Sequence, residues 1–487
     1  MKLAQILEQI PYSIVFGSED TEVTEILTDS RKASAGSMFF ALTGLGADGH
    51  NFIRSAVDQG ASVIVAERIV PIDDAANVTY VLVDCTPIAL SMAAQAFYGY
   101  PARKMRFVGV TGTNGKTTVT HLIKQILDFA GFKTGLIGTN HHLIGERELP
   151  STNTTPEAHH LQRLFSQMAE EHVEIVVMEV SSHALALSRL AGVEFETGVF
   201  TNLTRDHLDF HETMEEYRSA KAILFSMCRK AVINMDDKEG TFMKKAAGKN
   251  KVFTYGMKKE TDFVAEEIVY SSRAVRFKLR EKNEITDILL GIPGTFSVYN
   301  GLAAIAACAS LHLPTEKIAK ALAVAKGVTG RAETVNLPLP YTVIIDYAHT
   351  PDGLENILNT VRAISAKRII TVFGCGGNRD KTKRPIMGEV VGKLSDIAIV
   401  TSDNPRLEEP EAIIADILPG MEEYKEKTVI VPDRRKAISY ALSIAQTDDI
   451  ILLAGKGHET YQDIGGTKID FDERVIVREE AAMLGML

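Results

Sequence analysis

The chain has 487 residues, of which 45% are apolar and 24% charged, with a formal net charge of -10. That length exceeds what one hydrophobic core supports and predicts roughly three or four domains, while the composition excludes a disordered or low-complexity chain. Apolar runs such as 340 to 345 and 448 to 454 fall far short of the roughly 20 residues of a bilayer span, and MKLAQILEQI lacks a secretion-signal pattern and reads as the start of an amphipathic helix. Four scattered cysteines, Cys85, Cys228, Cys308 and Cys375, form neither a CxxC pair nor a disulfide framework, which fits a reducing, cytoplasmic compartment. The negative balance argues against a general nucleic-acid surface. One local basic cluster, Arg379, Lys381, Lys383 and Arg384, reads either as a phosphate site or as a solvated turn.

Short branched-apolar runs alternate with helical patterns, and no solenoid repeat is present. In residues 1–102, Val63 to Ala66 and Tyr80 to Val83 predict strands, Gly44, Gly46 and Gly49 bound a loop, and Pro101 marks a boundary. In residues 103–330, Met105 to Val110 predicts a strand before a glycine-containing loop, and Leu122, Ile123, Ile126 and Leu127 share one face of the following helix. Val173 to Met178 stops at Glu179, Gly198 to Phe200 leads into Thr201-Asn202, and Ala231 to Ile233 leads into Asn234. Polar residues thus follow strand ends, where open parallel sheets place their ligands. In residues 331–487, runs at 342–345, 369–373, 397–400 and 450–453 end at Asp346, Gly374, Thr401 and Ala454-Gly455, predicting a second doubly wound sheet. Lys326 to Arg331, with two glycines, reads as the hinge before it.

The segment Thr111-Gly112-Thr113-Asn114-Gly115-Lys116-Thr117-Thr118 lies between strand and helix. Its backbone N–H groups can surround phosphate oxygens, Lys116 adds a mobile positive charge, and the Thr117 hydroxyl can reach Mg²⁺. Val110 stands where the usual phosphate loop begins with glycine, so the match is to the GKT half of that motif. Bound ATP needs a metal held by protein oxygens or imidazole nitrogens; Glu179 and then His207 are the candidates. Lys221 reads by itself as a surface helix residue, because a protonated lysine ligates no metal. Thr154-Thr155-Pro156 reads as a helix entry.

Ten ordered blocks then narrow the reading: TGTNGKTT at 111–118, STNTTP at 151–156, MEVSSHAL at 178–185, TNLTRDHLDFH at 201–211, YRSAKAILF at 217–225, GRAE at 330–333, DYAHTPD at 346–352, GNRDKTKRP at 377–385, DNPR at 403–406 and GKGHE at 455–459. With these the chain resembles the Mur ligase family over essentially its full length. The resemblance implies an α/β fold of three domains: a uridine-binding domain (1–102), a central P-loop ATPase-like domain (103–330) and a C-terminal Rossmann-like domain that takes the incoming amino acid (331–487). It implies ATP and Mg²⁺ as cofactors, with Gly112 to Thr118, Asn300, Arg331 and Asp346 on the nucleotide. Thr117, Glu179, His207 and a carbamylated Lys221 would hold the metal. Ser30, the Thr43 to Ala47 loop, Thr154, Thr155, Ser181 and Arg189 would contact a UDP-muramoyl dipeptide. Arg384, Asp403, Asn404, Pro405, Arg406, Gly455 and Glu459 would contact the amino acid.

The blocks look like those of members adding meso-2,6-diaminopimelate to UDP-N-acetylmuramoyl-L-alanyl-D-glutamate in peptidoglycan precursor synthesis. Arg406 is the diagnostic residue, since a planar arginine fork suits the distal carboxylate that lysine lacks. The implied reaction passes through an acyl phosphate on the D-glutamate side chain, which the amine then attacks. Lys116, Glu179, His207, Lys221 and Arg331 are its catalytic set, and a monomer is expected. The rival readings are a lysine-adding ligase, a folate-glutamating ligase and a catalytically silent nucleotide-dependent regulator.

Overall fold

The structure, a computed structural model, describes residues 1–44, 46–72, 78–258, 260–271, 274–364 and 367–487; Leu45, within the expected Thr43 to Ala47 loop, lies outside them. The chain divides into two compact units. Unit one comprises Met1–Gly109, Phe132–Glu196 and Met227–Arg229; unit two comprises Val110–Gly131, Thr197–Ser226 and Lys230–Leu487.

Unit one opens on the five-residue helix Leu3–Leu7, shorter than MKLAQILEQI suggests because Pro11 follows closely. Its first sheet has the order Ser13–Phe16, Thr79–Leu82, Val63–Ala66, Ser37–Phe40, Glu25–Leu27, parallel except for the Ser13–Phe16 edge. Side chains alternate between the two faces of a strand. Met38, Phe40, Val63, Val65 and Val81 therefore meet Leu3, Ile6 and Leu7 on one face, while Phe39, Ile64, Ala66 and Tyr80 meet Ile53 and Ala56 on the other. Both faces are covered, which is why these strands are continuously apolar. Elsewhere in the unit, Ile175–Glu179 pairs in parallel with Thr134–Ile137, which continues antiparallel through His141–Ile144 and Arg147–Pro150.

In unit two, Lys230 to Asn234 pair in parallel with Lys251–Gly256, followed by Phe263–Tyr270 and two antiparallel strands, Val275–Glu281 and Glu284–Leu290. The C-terminal sheet has the order Glu333–Thr334, Thr342–Asp346, Ile450–Ala454, Ile369–Phe373, Ile397–Val400, Thr428–Ile430, parallel apart from its first strand. Ile344, Phe373, Val400 and Leu452 pack on Leu354, Leu358, Met387 and Val391; Ile345, Val372, Ile399 and Leu453 pack on Ala437, Ile438, Ala441 and Leu442. Helices on both faces make this the expected doubly wound sheet. The last strand in sequence enters between the first two parallel ones, so ligand-accepting loops gather at the carboxyl ends.

Strand limits move by a few residues from expectation: Arg106–Thr111, Phe195–Phe200 and Ile175–Glu179. The last of these makes Glu179 the terminal strand residue, wholly buried. Gly330 differs from a free hinge. Its φ is +72°, and a Cβ there would lie 2.1 Å from the His458 amide nitrogen, so glycine is required by packing as well as by dihedral.

Two of the buried imidazoles in unit one, His142 and His159, are held below their ordinary pKa. Burial, with His141 nearby, pushes His142 down from 6.5 to about 4; burial, then His160, Arg163 and Lys32, pushes His159 down to about 3. Both folded-state values lie below the ordinary one, so the unfolded chain takes up protons first and stability falls as the pH drops below 6.5. Thermal unfolding between about pH 7 and about pH 4 checks this: His159→Leu should show a shallower loss than wild type, and an equal loss contradicts it.

Candidate active site

The strand Arg106–Thr111 turns into the helix Lys116–Phe129 through Gly112 to Gly115. Val110 is a buried strand residue, not a turn residue, which accounts for a branched side chain where other phosphate loops begin with glycine. A Cβ on Gly112, at φ +151°, would lie 1.8 Å from Thr201 Oγ1, and one on Gly115, at φ +85°, would lie 2.5 Å from Asn300 Oδ1. The loop is held from outside. Thr113 N–H donates to Asn202 O (2.9 Å), Asn114 N–H to Asn202 Oδ1 (2.9 Å) and Thr201 Oγ1 to Asn114 O (2.6 Å). Lys116 Nζ donates to Gly112 O at 2.9 Å and Thr113 O at 2.8 Å. Thr118 is buried at the start of a fourteen-residue helix whose N-terminal dipole favours an anion.

Lys221 is not the surface residue its helix position suggests: it is 1% exposed. Its Nζ donates to Gly112 O (2.9 Å) and sits 4.3 Å from the Tyr217 ring, whose hydroxyl is 3.2 Å from Thr113 Oγ1. Burial, with Lys116 adding to it and Asp206 opposing, holds the Lys221 amine well below its ordinary pKa. His207 has a left-handed backbone, φ +53°, and its N–H donates to Asp206 Oδ1 at 2.9 Å. Burial raises the Asp206 carboxyl, but His207, His349 and Lys383 outweigh it and bring it to about 2.

The C-terminal part of unit two reaches the loop. Arg331 donates to Thr117 Oγ1 (3.0 Å) and stacks on Tyr347, 4.6 Å from the ring centroid. Asp346 accepts from Ala332 and Ala348 N–H at 2.7 and 2.8 Å; burial raises its pKa against the pull of Arg331. Asp352 accepts from the Asn114 side chain at 2.7 Å, a contact the sequence reading missed although DYAHTPD contains the residue. The expected nucleotide residues of this unit, including Asn300, are therefore brought together.

At the carboxyl ends of the C-terminal sheet, Asn404 Nδ2 donates to Glu459 Oε2 (2.8 Å). Lys456, absent from the expected site, is wholly buried and lies 3.1 Å from both Asn404 Oδ1 and Glu459 Oε2 and 3.7 Å from Asp403 Oδ1. Its position inside GKGHE was the available signal. Burial and then Asp403 raise the Glu459 pKa, with Lys456 opposing. Gly455, at φ +116°, brings its backbone against Asp403: a Cβ would lie 2.8 Å from Oδ2. Pro405 is buried, and its carbonyl lies 1.9 Å from where a Cβ on Gly377 would fall. Arg406 has φ +54° and points Nη1 at Gly377 O (2.7 Å). Arg384 departs from expectation. It is wholly buried, with its fork engaged by Glu408 (2.9 and 3.0 Å) and Asp416 (2.8 Å), so its guanidinium does not face a ligand. Arg379, in the same basic cluster, is exposed and donates to the Asn378 carbonyl.

Unit one holds the remaining candidates. Glu179 accepts from Thr139 N–H (2.8 Å) and Thr139 Oγ1 (3.0 Å), and Thr139 Oγ1 is 3.0 Å from Thr154 Oγ1. Thr155 Oγ1 donates to Glu179 O (2.8 Å) and accepts from Ser181 N–H (3.0 Å), while Arg189 donates to Thr155 O (2.9 Å) and pairs with Glu157. Ser181 also caps the helix Ser182–Ala186. A cavity of about 210 Å³ is lined by Thr43, Gly44, Leu90, Glu157, Leu187 and Arg189 among others; Ser30, buried in the turn Ser30–Lys32, is not in that lining. Among the described residues, no three His, Cys, Asp or Glu side chains form a metal cage.

Gly112→Ala is expected to weaken ADP binding at least about tenfold while leaving the fold intact, because the displaced Thr201 carries the loop with it. Titration calorimetry on the full chain checks this, and unchanged affinity would show the close approach to be dispensable.

The family model described as Mur ligase middle domain matches residues 110–308, that described as Mur ligase, glutamate ligase domain matches 330–457, and that described as Mur ligase family, catalytic domain matches 22–98. The chain is 46% identical, over 98% of its own length and 99% of the relative's, to UDP-N-acetylmuramoyl-L-alanyl-D-glutamate--2,6-diaminopimelate ligase 1 of Clostridium acetobutylicum. It is 48% identical, with 98% of each chain covered, to the similarly named ligase of Caldanaerobacter subterraneus. A solved UDP-N-acetylmuramoyl-L-alanyl-D-glutamate--2,6-diaminopimelate ligase superposes with a TM-score of 0.69 at 31% identity, covering 100% of this chain and 99% of that one. MurF from Acinetobacter baumannii shares the fold at a TM-score of 0.66 and 20% identity, over 93% of this chain and 95% of that one. Matched by family models over most of its length and by relatives more than 45% identical over nearly all of it, the chain belongs to the Mur ligase family.

Proposed function

We propose that this chain is an ATP-dependent ligase that adds meso-2,6-diaminopimelate to the D-glutamate of UDP-N-acetylmuramoyl-L-alanyl-D-glutamate, in peptidoglycan precursor synthesis. The observation that carries the choice of amino acid is Arg406, whose guanidinium spends one N–H on Gly377 O and leaves the rest of its fork for a distal carboxylate. Exposed Arg379 takes the anion-binding role first assigned to Arg384. Glu459 and Asn404 would receive the distal ammonium, and burial of the Glu459 carboxyl favours pairing with a cation.

In this reading the D-glutamate carboxylate attacks the γ-phosphoryl group of ATP, giving an acyl phosphate and ADP. The deprotonated amine of diaminopimelate then attacks the acyl carbon, and phosphate leaves as the amide forms. Lys116 and the loop N–H groups neutralise charge on the transferring group. Arg331 adds a second cation from the C-terminal domain and orients Thr117. Mg²⁺ would supply Lewis-acid neutralisation of the phosphate oxygens, with Thr117, Glu179, His207 and carbamylated Lys221 as its donors. The cavity beside Arg189 and the Thr154, Thr155 and Ser181 hydroxyls suits the UDP-muramoyl dipeptide, with Ser30 near its uridine end. Asp346 and Asn300 belong to the nucleotide. Domain limits at 102 and 330, a cytoplasmic location and a monomeric state complete the proposal; no helix among the described residues is long and apolar enough to cross a membrane.

Purified protein with ATP, Mg²⁺ and the UDP-muramoyl dipeptide, offered diaminopimelate or lysine, tests the reading by ADP release and product mass. Diaminopimelate should be used and lysine refused; equal use of lysine overturns the selectivity, and no ADP release with all substrates present favours the silent regulator. Arg406→Ala should lower kcat/KM for diaminopimelate about 100-fold with ATP binding unchanged. Lys221→Ala should lower kcat about 100-fold or more, and the native mass of the wild-type Lys221 peptide should carry one added carbon dioxide.

A further inference from the structure

Arg384 occupies a position that helix energetics alone do not favour. It lies in the first turn of the helix Lys383–Leu394, where the macrodipole disfavours a cation, and it is wholly buried. Its fork is filled by Glu408 on two bonds, 2.9 and 3.0 Å, and by Asp416 at 2.8 Å. Glu408 also accepts from Asn378 N–H and from Lys381, the latter at 3.2 Å. These partners of Glu408 all lie in residues 378 to 384, whereas Glu408 itself stands two residues after Arg406.

The two segments are tied at further points. Gly377 N–H donates to Asn404 O (2.9 Å) and Leu407 N–H to Asn378 Oδ1 (3.0 Å). Arg406 closes the set through its own bond to Gly377 O at 2.7 Å. Asn378 and Arg406 both adopt left-handed backbones, φ +52° and +54°, which side-chain-bearing residues rarely take unless their surroundings impose it. On its other side Arg406 is pinned by its N–H to Asp463 O (2.9 Å) and by Gly465 N–H to its carbonyl (2.7 Å). The direction of the Arg406 guanidinium is therefore set by a carbonyl in one loop, and the place of that loop is set by Glu408 and Arg384. Arg384 also holds the Glu408 carboxyl down to about 2, so the pair stays ionised through the neutral range.

We propose that Arg384 and Glu408 are a positioning pair for amino-acid selection: by locking residues 376–381 to residues 404–408 they fix the direction in which Arg406 presents its fork. The proposal deepens the reading of the previous subsection and rests on it. A pair with only a structural role would alter every kinetic constant through stability, whereas a positioning pair alters recognition of one substrate.

Glu408→Gln removes the charge while keeping the shape, and Asn378→Ala removes the acceptor for Leu407 N–H and adds left-handed backbone strain at an exposed position. Steady-state constants for diaminopimelate, ATP and the UDP-muramoyl dipeptide, with the ratio of kcat/KM for diaminopimelate over lysine, are measured for both variants and wild type; unfolding midpoints confirm that each is folded. Both variants should raise the KM for diaminopimelate about tenfold and lower the ratio by a similar factor, with the other two KM values within about twofold of wild type. Should Glu408→Gln not fold, Asn378→Ala decides alone. An unchanged KM for diaminopimelate, or an equal rise in all three, overturns the pair. A wild type that uses lysine as readily as diaminopimelate overturns the selectivity reading and the pair together, while a selective wild type with unaffected variants overturns the pair alone.

Discussion

Two lysine side chains converge on the carbonyl oxygen of Gly112, each with its nitrogen 2.9 Å away. One, Lys116, begins the helix after the loop; the other, Lys221, arrives from a helix about a hundred residues later in sequence. Burial, with the nearby Lys116 adding to it, holds the Lys221 amine well below its ordinary pKa. The convergence needs the Gly112 backbone pressed against Thr201, which a Cβ would prevent. Thr201 in turn holds Asn114 O, and Asn202 holds the amides of Thr113 and Asn114. A missing methyl group thus sets the shape of the loop and lets a lysine far along the chain reach its backbone.

The amino-acid end of the molecule obeys a different constraint, charge balance in a desolvated loop cluster. Lys456 is wholly buried and would be costly without neutralisation; Asp403, Asn404 and Glu459 surround it. The same carboxylates would repel one another without it. The doubly wound sheet supplies the setting, because strands ending at Asp346, Gly374, Thr401 and Ala454 deliver all these loops to one edge.

Much of this was legible in the residues. The apolar runs and their polar ends marked two of the five strands of the first sheet and four of the six of the C-terminal sheet to within a few residues, since a strand covered on both faces must be apolar throughout. Ser13–Phe16, Glu25–Leu27, Ser37–Phe40, Glu333–Thr334 and Thr428–Ile430 were not marked. The phosphate loop was legible because strand, glycine turn, lysine and helix follow one another directly. Arg384 and Lys221 were not. Composition rules place arginine and lysine at the surface, and their burial depends on Glu408, Asp416, Gly112 and Tyr217, which reach them only through the fold. Lys456 and Asp352 sat inside recognised blocks, yet a block does not say which of its side chains points inward.

By itself the sequence determined the family, the order of the sheets' strands along the chain, and the residue types available for phosphate, metal and amino acid, because these depend on local period and spacing. Tertiary structure decided which charges face a ligand and which are consumed internally: Arg379 is open while Arg384 is engaged, and Lys221 is held as an amine whose pKa lies well below its ordinary value. The physical reason is that desolvation and pairing depend on neighbours distant in sequence. The same side chain is a solvated surface group in one setting and a buried, desolvated one in another.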